Sequence, residues 1–571
     1  MAGYRTVNTE VLVIGGGGAA VRAAIAADDG GARVAILVKG QIAHSGLTAM
    51  ACPSYQAAGA FEEPEDTPDI AFADVTKEGR YLGDENLIRV LVEEATERAL
   101  EMEKYGVKLT HGEDGRIMQV MHPGQSYARN LVIRGCGYGM MVGLRRELLR
   151  RPNIDSFEDF VATRLLKDGD RIAGTMALNL RTGEMVAFRA RAVIMATGGY
   201  EEIMEFTDTE PGASGDGTAL ALHIGANMID LEMMLFYPTC LVWPDEVKGT
   251  LVQYEGLLGP RYIAGKMVNG EGNEFLPDTG ERYVLPVRDT MMKAMFKEID
   301  EGRGGPNGGV FIDIRESPRT TEEVFELLHT LDSLPYTELR DLGVDVTKDM
   351  IEVKPGTHFC LGGIRINERT ETNVPGFFAA GEVAGNVHGA NRTSGNALAE
   401  TQVFGARAGE FAAEYARNNP DPAFDKAAAD AEVARVQGFM EPRENPIRST
   451  DLRKRLQRLM QENMSHRRTG AGMTLALETI RRWRAEELPR VQAVNSTPYA
   501  RELQDTLEIA NMLDVSEAVI VAGLMRTESR GHHFREDYPE LDPNWLQHTI
   551  VREEPDGQLA QETAPVIRLQ D

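Results

Sequence analysis

The segment Glu10–Ala27, EVLVIGGGGAAVRAAIAA, constrains this chain more than any other. Val11–Ile14 is a short unbroken apolar run, the pattern of a strand buried on both faces of a parallel sheet. It breaks into Gly15, Gly16, Gly17 and Gly18 and continues as an alanine-rich helical stretch. Gly15, Gly17 and Ala20 meet the G-x-G-x-x-G/A template. In that template one glycine makes the tight turn and the next lets backbone N–H groups approach a pyrophosphate. The third small residue lets helix pack on strand. The helix N-terminus then turns its unpaired amides and positive dipole end toward phosphate. A second apolar strand follows at Arg33–Val38, so strand, turn, helix and strand together predict a dinucleotide site.

Lys39 stands where the acidic residue is expected at the end of the second strand, which argues against a nicotinamide ribose contact, and a glycine turn so near the N-terminus is typical of proteins built around FAD. Two later clusters fit a flavin. RAVIMATGG at 191–199 is a strand ending in small residues, and FFAAGEVAG at 377–385 is another, with Glu382 able to accept a hydrogen bond from a ribitol or ribose hydroxyl.

At 571 residues the chain is too long for one core. A formal net charge of −27 excludes broad nucleic-acid binding, which needs clustered cations. Cys52, Cys136, Cys240 and Cys360 are dispersed, with no C-x-x-C pair, and read as buried thiols in a reducing compartment rather than ligands of a metal centre. The N-terminal residues run directly into a strand, and no run of 18 apolar residues occurs, so a cytoplasmic protein is expected.

A series of short segments completes the pattern: IGGGGAAVRAA at 14–24, ATGG at 196–199, GDGTALALHIGA at 215–226, VRDTMMKAMFKEI at 287–299, HFCLGGIRI at 358–366 and HGANRTSGNALAE at 388–400, followed by ESRGHHFREDYPE at 528–540. In order and spacing they resemble the succinate dehydrogenase/fumarate reductase flavoprotein family, whose relatives include L-aspartate oxidase and the adenylylsulfate reductase alpha subunit. The resemblance covers nearly the whole chain. It implies an α/β fold: a Rossmann-like FAD-binding domain at 1–234 plus 355–420, an inserted α+β capping domain at 235–354, and a C-terminal helical domain at 421–571. The last segment has helical spacing, as in LRKRLQRLMQENM at 452–464, a break at Pro489 and an irregular tail with Pro539, Pro543 and Pro555.

The resemblance also implies a chemistry: hydride transfer between flavin N5 and a small dicarboxylate, with electrons exchanged through an iron–sulfur subunit, in a complex linked to quinone and peripheral to the membrane. It assigns Arg392 to a substrate carboxylate, His358 to the same anion, and Arg288 to general acid–base work, with Glu255 beside them in the catalytic set. The cofactor set is Gly15, Gly17, Gly18, Ala19, Ala20, Lys39, Ser45, Gly46, Thr48, Ala196, Thr197, Gly198, Asp216, Glu382, Asn396, Ala397 and Leu398.

Three departures qualify the match. The family's F-H-P-T is Phe236-Tyr237-Pro238-Thr239, so a substrate-binding histidine is Tyr237. Its T-E-G-C-R-G is Tyr254-Glu255-Gly256-Leu257-Leu258-Gly259, which makes the carboxylate-binding threonine Tyr254 and the proton-relay arginine Leu258. Arg261, three residues on, is a candidate substitute; with this half of the pocket bulkier and less cationic, fumarate is expected to be a poor or altered substrate. Gly46 occupies the place of the histidine that links flavin covalently, and His44 lies two residues early, so noncovalent FAD is expected. The competing readings are an enzyme acting on another anion, like aspartate oxidase or adenylylsulfate reductase, and a flavin electron-transfer protein without turnover.

Overall fold

A computed structural model describes residues 3–52, 54–59, 61, 63, 65–112, 114–260, 262–277, 285–331, 334–494 and 499–569. Arg261 lies outside the described residues.

The apolar runs form a five-stranded parallel sheet in the order Phe377–Ala379, Ala192–Met195, Val11–Ile14, Val34–Val38, Ile154–Glu158. Val11, Leu12 and Val13 are fully buried, because helices cover both faces of such a sheet. Each such side chain removed from water contributes about 1.5–3 kcal/mol. The helix Gly18–Asp29 packs along Asn396–Asn418 through small residues of both: Gly405 lies against Ala19, and Gly409 against Ala23 and Ala26. The helices that follow the first and the last strands of the parallel sheet in chain order thereby share one wall.

A second four-stranded sheet, antiparallel throughout, has the order Met234–Leu241, Ile351–Cys360, Val310–Asp313, Lys266–Val268. It has its own apolar core, including Leu241, Leu257, Met291, Ile312 and Val353. Its two long strands reach back to the parallel sheet's edge, where they deliver Tyr237 and His358.

The helices Lys426–Gly438, Ser449–Met464, Gly470–Arg482 and Arg501–Met525 form the C-terminal bundle, and Leu488–Arg490 is a short 3-10 turn carrying Pro489. The expected irregular tail is instead partly a hairpin. Gln547–Glu553 pairs antiparallel with Leu559–Pro565 and with Met228–Ile229. Asp556-Gly557, with Gly557 at φ +80°, turns between them. Proline density masked the strands, since Pro543 precedes the hairpin and Pro555 lies in its loop. No helix among the described residues is long and apolar enough to cross a membrane.

Candidate functional site

A cavity of about 790 Å³ runs from the first glycine turn to the inner ends of the antiparallel strands. At one end its wall is mostly backbone. Gly15 has φ +132°, and a Cβ there would lie 2.0 Å from the Ala196 carbonyl oxygen, so only glycine fits. Its N–H donates to the Leu37 carbonyl at 2.8 Å, tying the turn to the second strand. The Gly18 N–H donates to Thr48 Oγ1 at 3.1 Å. Gly46 has φ +99°, a conformation side chains rarely adopt, and caps the short helix Leu47–Met50. His44 does not line the cavity; it packs beside Tyr138 with ring centroids 6.1 Å apart.

Lys39 closes this end. Its ammonium donates to Ser214 Oγ at 2.9 Å, Asp216 Oδ2 at 2.8 Å and Glu508 Oε1 at 3.0 Å, while Asn511 Nδ2 donates to Asp216 Oδ1 at 2.9 Å. Burial works against its charge, but Asp216 and Glu508 outweigh it and raise its pKa. One cation thus pins the second parallel strand to the helix Asp216–Leu222 and to the bundle helix Arg501–Met525.

Deeper in, Glu382 accepts the Cys360 N–H at 3.0 Å. Burial, and then the neighbouring Glu201, push its carboxyl well above the usual range. Both Glu201 carboxylate oxygens are buried without a protein partner. Glu382 therefore retains its proton and can offer it as a hydrogen-bond donor.

At the far end the wall is charged. Arg288 opens the helix Arg288–Asp300, and its Nη2 donates to Ser394 Oγ at 3.3 Å and lies 3.7 Å from Glu255 Oε1. Arg392 sits on the loop before Asn396, with its guanidinium carbon 4.3 Å from the Phe359 ring centroid. It is 5% exposed and Arg288 6%. Arg392 Nε and Arg288 Nη1 are buried without a partner. Burial, and then the positive charge of Arg288, lower the Arg392 pKa to about 9.

The loop bearing Arg392 is clamped from two sides. Asn391 Nδ2 donates to Glu78 Oε1 at 2.8 Å, and its Oδ1 accepts from His532 Nε2 at 3.0 Å. The Phe236 N–H donates to His532 Nδ1 at 3.3 Å, which makes Nε2 the protonated nitrogen. Burial foremost lowers the His532 pKa to about 3, keeping it neutral. The C-terminal ESRGHHF segment therefore supports the site from behind.

His358 bridges Arg392 and a residue that sequence reasoning missed. Arg392 Nη2 donates to His358 Nε2 at 3.2 Å, and His358 Nδ1 donates to Asp208 Oδ2 at 2.8 Å. A carboxylate on Nδ1 fixes the neutral tautomer with Nε2 facing the arginine. Asp208 lies in EFTDTEPG, a stretch without a motif. His122, also missed, lies 3.5 Å through Nδ1 from Glu255 Oε1. Its sequence setting, MHPGQ, offers only a lone histidine before proline.

Of the residues singled out from the sequence for cofactor or catalysis, Ala20 and Asn396 do not line the cavity; all the others do. Ala20 is enclosed within its helix, and Asn396 is buried at the start of Asn396–Asn418. Among the substituted positions Tyr237 is in the wall, its hydroxyl donating to Glu255 Oε2 at 2.8 Å. Tyr254 and Leu258 pack in the core of the antiparallel unit, so they alter the pocket from behind. Cys52 and Cys136 are half-buried and line the cavity, a correction to the expectation of four buried thiols. They are placed there because the Gly137 N–H donates to the Ala51 carbonyl at 2.9 Å.

Comparison with known proteins agrees with this anatomy. Residues 10–398 match the FAD binding domain family, and residues 453–569 match the fumarate reductase flavoprotein C-terminal family. A protein of Methanothermobacter marburgensis named as a component of fumarate reductase (CoM/CoB) is 36% identical over 95% of this chain and 96% of its own. The fumarate reductase flavoprotein subunit of Mycobacterium tuberculosis is 30% identical over 89% of each chain. Among solved structures, Mycobacterium smegmatis Sdh1 in complex with UQ1 has a TM-score of 0.88, with 33% identity over 99% of this chain and 95% of the other. The glycine-lined trough, the orphaned polar atoms beyond it and the paired arginines fit an FAD and an anion in series. The chain belongs to the fumarate reductase/succinate dehydrogenase flavoprotein family, as an FAD-dependent oxidoreductase.

Proposed function

We propose that this protein is a flavoprotein subunit that interconverts a small unsaturated dicarboxylate, of the fumarate type, and its saturated partner. The observation that carries this reading is the pair Arg288 and Arg392: two buried guanidiniums on one wall, each with an N–H lacking a protein partner. A buried N–H without a partner is costly, and a carboxylate from the substrate would satisfy both. Bound FAD supplies or accepts the hydride at N5. Arg392 would hold a carboxylate through its planar fork, His358 would accept from Arg392 and keep it aimed, and Arg288 would carry the proton. Arginine is an intrinsically weak acid, and Glu255 and the Tyr237 ring beside it further stabilise its charged form. It therefore needs a substrate carbanion as acceptor and a nearby group to reprotonate it.

On the cofactor side, Gly15, Gly17 and Gly18 would receive the pyrophosphate, with Ala196, Thr197 and Gly198 opposite and Glu382 near the ribitol. Gly46 at φ +99°, and His44 outside the cavity, favour noncovalent FAD. Acid precipitation should release all flavin into the supernatant; fluorescence remaining on the polypeptide overturns that assignment. The relatives named as parts of reductases, and the dispersed cysteines, favour an iron–sulfur protein as electron partner.

The test is an anaerobic panel. Chemically reduced protein is mixed with fumarate, iminoaspartate or adenylylsulfate, and flavin reoxidation is followed. Fumarate is expected to reoxidise the flavin. Reoxidation by one of the others alone would move the assignment to that anion, and reoxidation by none would favour a pure electron carrier.

A further inference from the structure

Leu258 stands where the family resemblance calls for a relay arginine, and its side chain lies in the apolar core. If Arg288 delivers a proton, another group must return it. A buried polar path starts at Arg288 and does not pass through Leu258. Arg288 Nη2 is 3.7 Å from Glu255 Oε1, and the same oxygen is 3.5 Å from His122 Nδ1. The other Glu255 oxygen accepts from the Tyr237 hydroxyl at 2.8 Å, which holds the carboxylate between Arg288 and His122. His122 Nε2 lies 3.5 Å from Ser54 Oγ.

His122 is 4% exposed, and its Nδ1 is a buried atom facing the Glu255 carboxylate. An imidazole so placed has desolvated a polar nitrogen in order to face a carboxylate, which a merely space-filling residue would not need to do. Burial acts to raise the Glu255 pKa, yet the hydrogen bond and charge of His122, followed by Arg288, outweigh it and hold the carboxyl at about 2. Glu255 is thus an ionised acceptor between a proton source and Arg288. The separations are longer than ideal hydrogen bonds, as is common before a substrate closes a site. Four residues beyond His122 the same loop comes to the surface, with Gly124 half-buried and Ser126 exposed.

We infer that His122 takes the place of the missing relay arginine, returning protons from the loop 121–126 through Glu255 to Arg288. The inference rests on the dicarboxylate reading above. In the reductive direction a hydride from reduced FAD adds to one alkene carbon. An N–H bond of Arg288 breaks as a C–H bond forms at the other carbon, leaving a neutral guanidine. A proton from protonated His122 moves onto the Glu255 carboxylate and on to that guanidine, which restores the Arg288 guanidinium and the ionised Glu255 and leaves a neutral His122 to be recharged from solvent. The sum is one alkene, one hydride and one proton giving one saturated dicarboxylate. Because His122 acts through Glu255, its loss should lower turnover without weakening substrate or FAD binding.

The test uses the FAD-loaded protein and fumarate, with steady turnover driven by a chemical reductant. His122→Ala is expected to lower kcat about 10²-fold, with KM and FAD content within about twofold of the unmodified protein. Added imidazole should recover about tenfold of that loss, and so should the double change His122→Ala with Leu258→Arg. A purely structural role would not respond to imidazole. Turnover of His122→Ala within about twofold of the unmodified protein overturns the relay. So does a loss that tracks missing FAD and that neither imidazole nor Leu258→Arg repairs. Absence of fumarate turnover in the unmodified protein would instead sink the dicarboxylate reading, and the relay with it.

Discussion

The two ends of the cavity are built from different material. At the dinucleotide end the wall is backbone: glycines at positive φ, helix starts and carbonyls within a few ångströms of where a Cβ would lie. At the anion end the wall is side chain. Arg288, Arg392, His358, Glu255 and Tyr237 come from two strands, two helices and a loop, and each is held by residues far away in sequence. A backbone wall tolerates no substitution but serves any dinucleotide, whereas a side-chain wall can be re-specified one residue at a time. The changes at Tyr237, Tyr254 and Leu258 all fall at the second end, while at the first the one departure is Gly46 in place of the flavin-linking histidine.

The largest effect that would sharpen this contrast is at the first end. Gly15→Val places side-chain atoms on the Ala196 carbonyl and forces a branched residue to φ +132°. It should yield protein without bound FAD, read from the ratio of flavin to protein absorbance. A yellow Gly15→Val protein would mean that the turn is not held as described.

At the second end the response should be graded. Asp208→Asn keeps the shape but lets an amide N–H face His358 Nδ1, reversing the tautomer and setting an Nε2–H against the Arg392 donor. Losing a charge-assisted contact costs about 1.5–3 kcal/mol. A ten- to hundredfold fall in kcat/KM for fumarate is expected, with FAD content unchanged. Equal loss of FAD would show that Asp208 supports the fold rather than His358.

The two ends also differ in what their motifs reveal. The glycine turn and the ATGG strand end are local patterns that strand–turn physics makes legible, whereas the GDG helix start is legible through the family resemblance. Asp208 lies 150 residues from His358 and is marked by no motif or spacing rule, whereas His358 is legible only through the family resemblance. His122 became meaningful only once the fold set it against Glu255. The hairpin at Gln547–Glu553 and Leu559–Pro565 was obscured for a related reason: its partner strand Met228–Ile229 is distant, and nearby prolines dominated the local signal. Helices and parallel strands are written in periodicity, but a buried charge network is written in which elements meet.

A smaller effect is expected where the bundle meets the cofactor end. Burial acts to raise the Glu508 pKa, but Lys39 and Arg453 outweigh it and hold the carboxyl at about 2, below its ordinary value of 4.5. A depressed carboxylate adds stability above the unfolded value and loses it as pH falls through the folded one. The melting temperature should therefore decline between about pH 4.5 and about pH 2. Glu508→Gln should flatten that decline and lower stability at neutral pH. An unchanged acid profile in Glu508→Gln would detach Glu508 from Lys39.

The most direct test of the central claim, that two buried arginines form the anion end of a flavin site, is an anaerobic titration. Chemically reduced protein is titrated with fumarate while flavin absorbance is followed, for the unmodified chain, Arg288→Ala and Arg392→Ala. The account predicts reoxidation of one flavin per fumarate in the unmodified protein, and rates at least about 10³-fold lower in each variant with FAD still bound. Reoxidation of Arg392→Ala or Arg288→Ala by fumarate at the unmodified rate would contradict it.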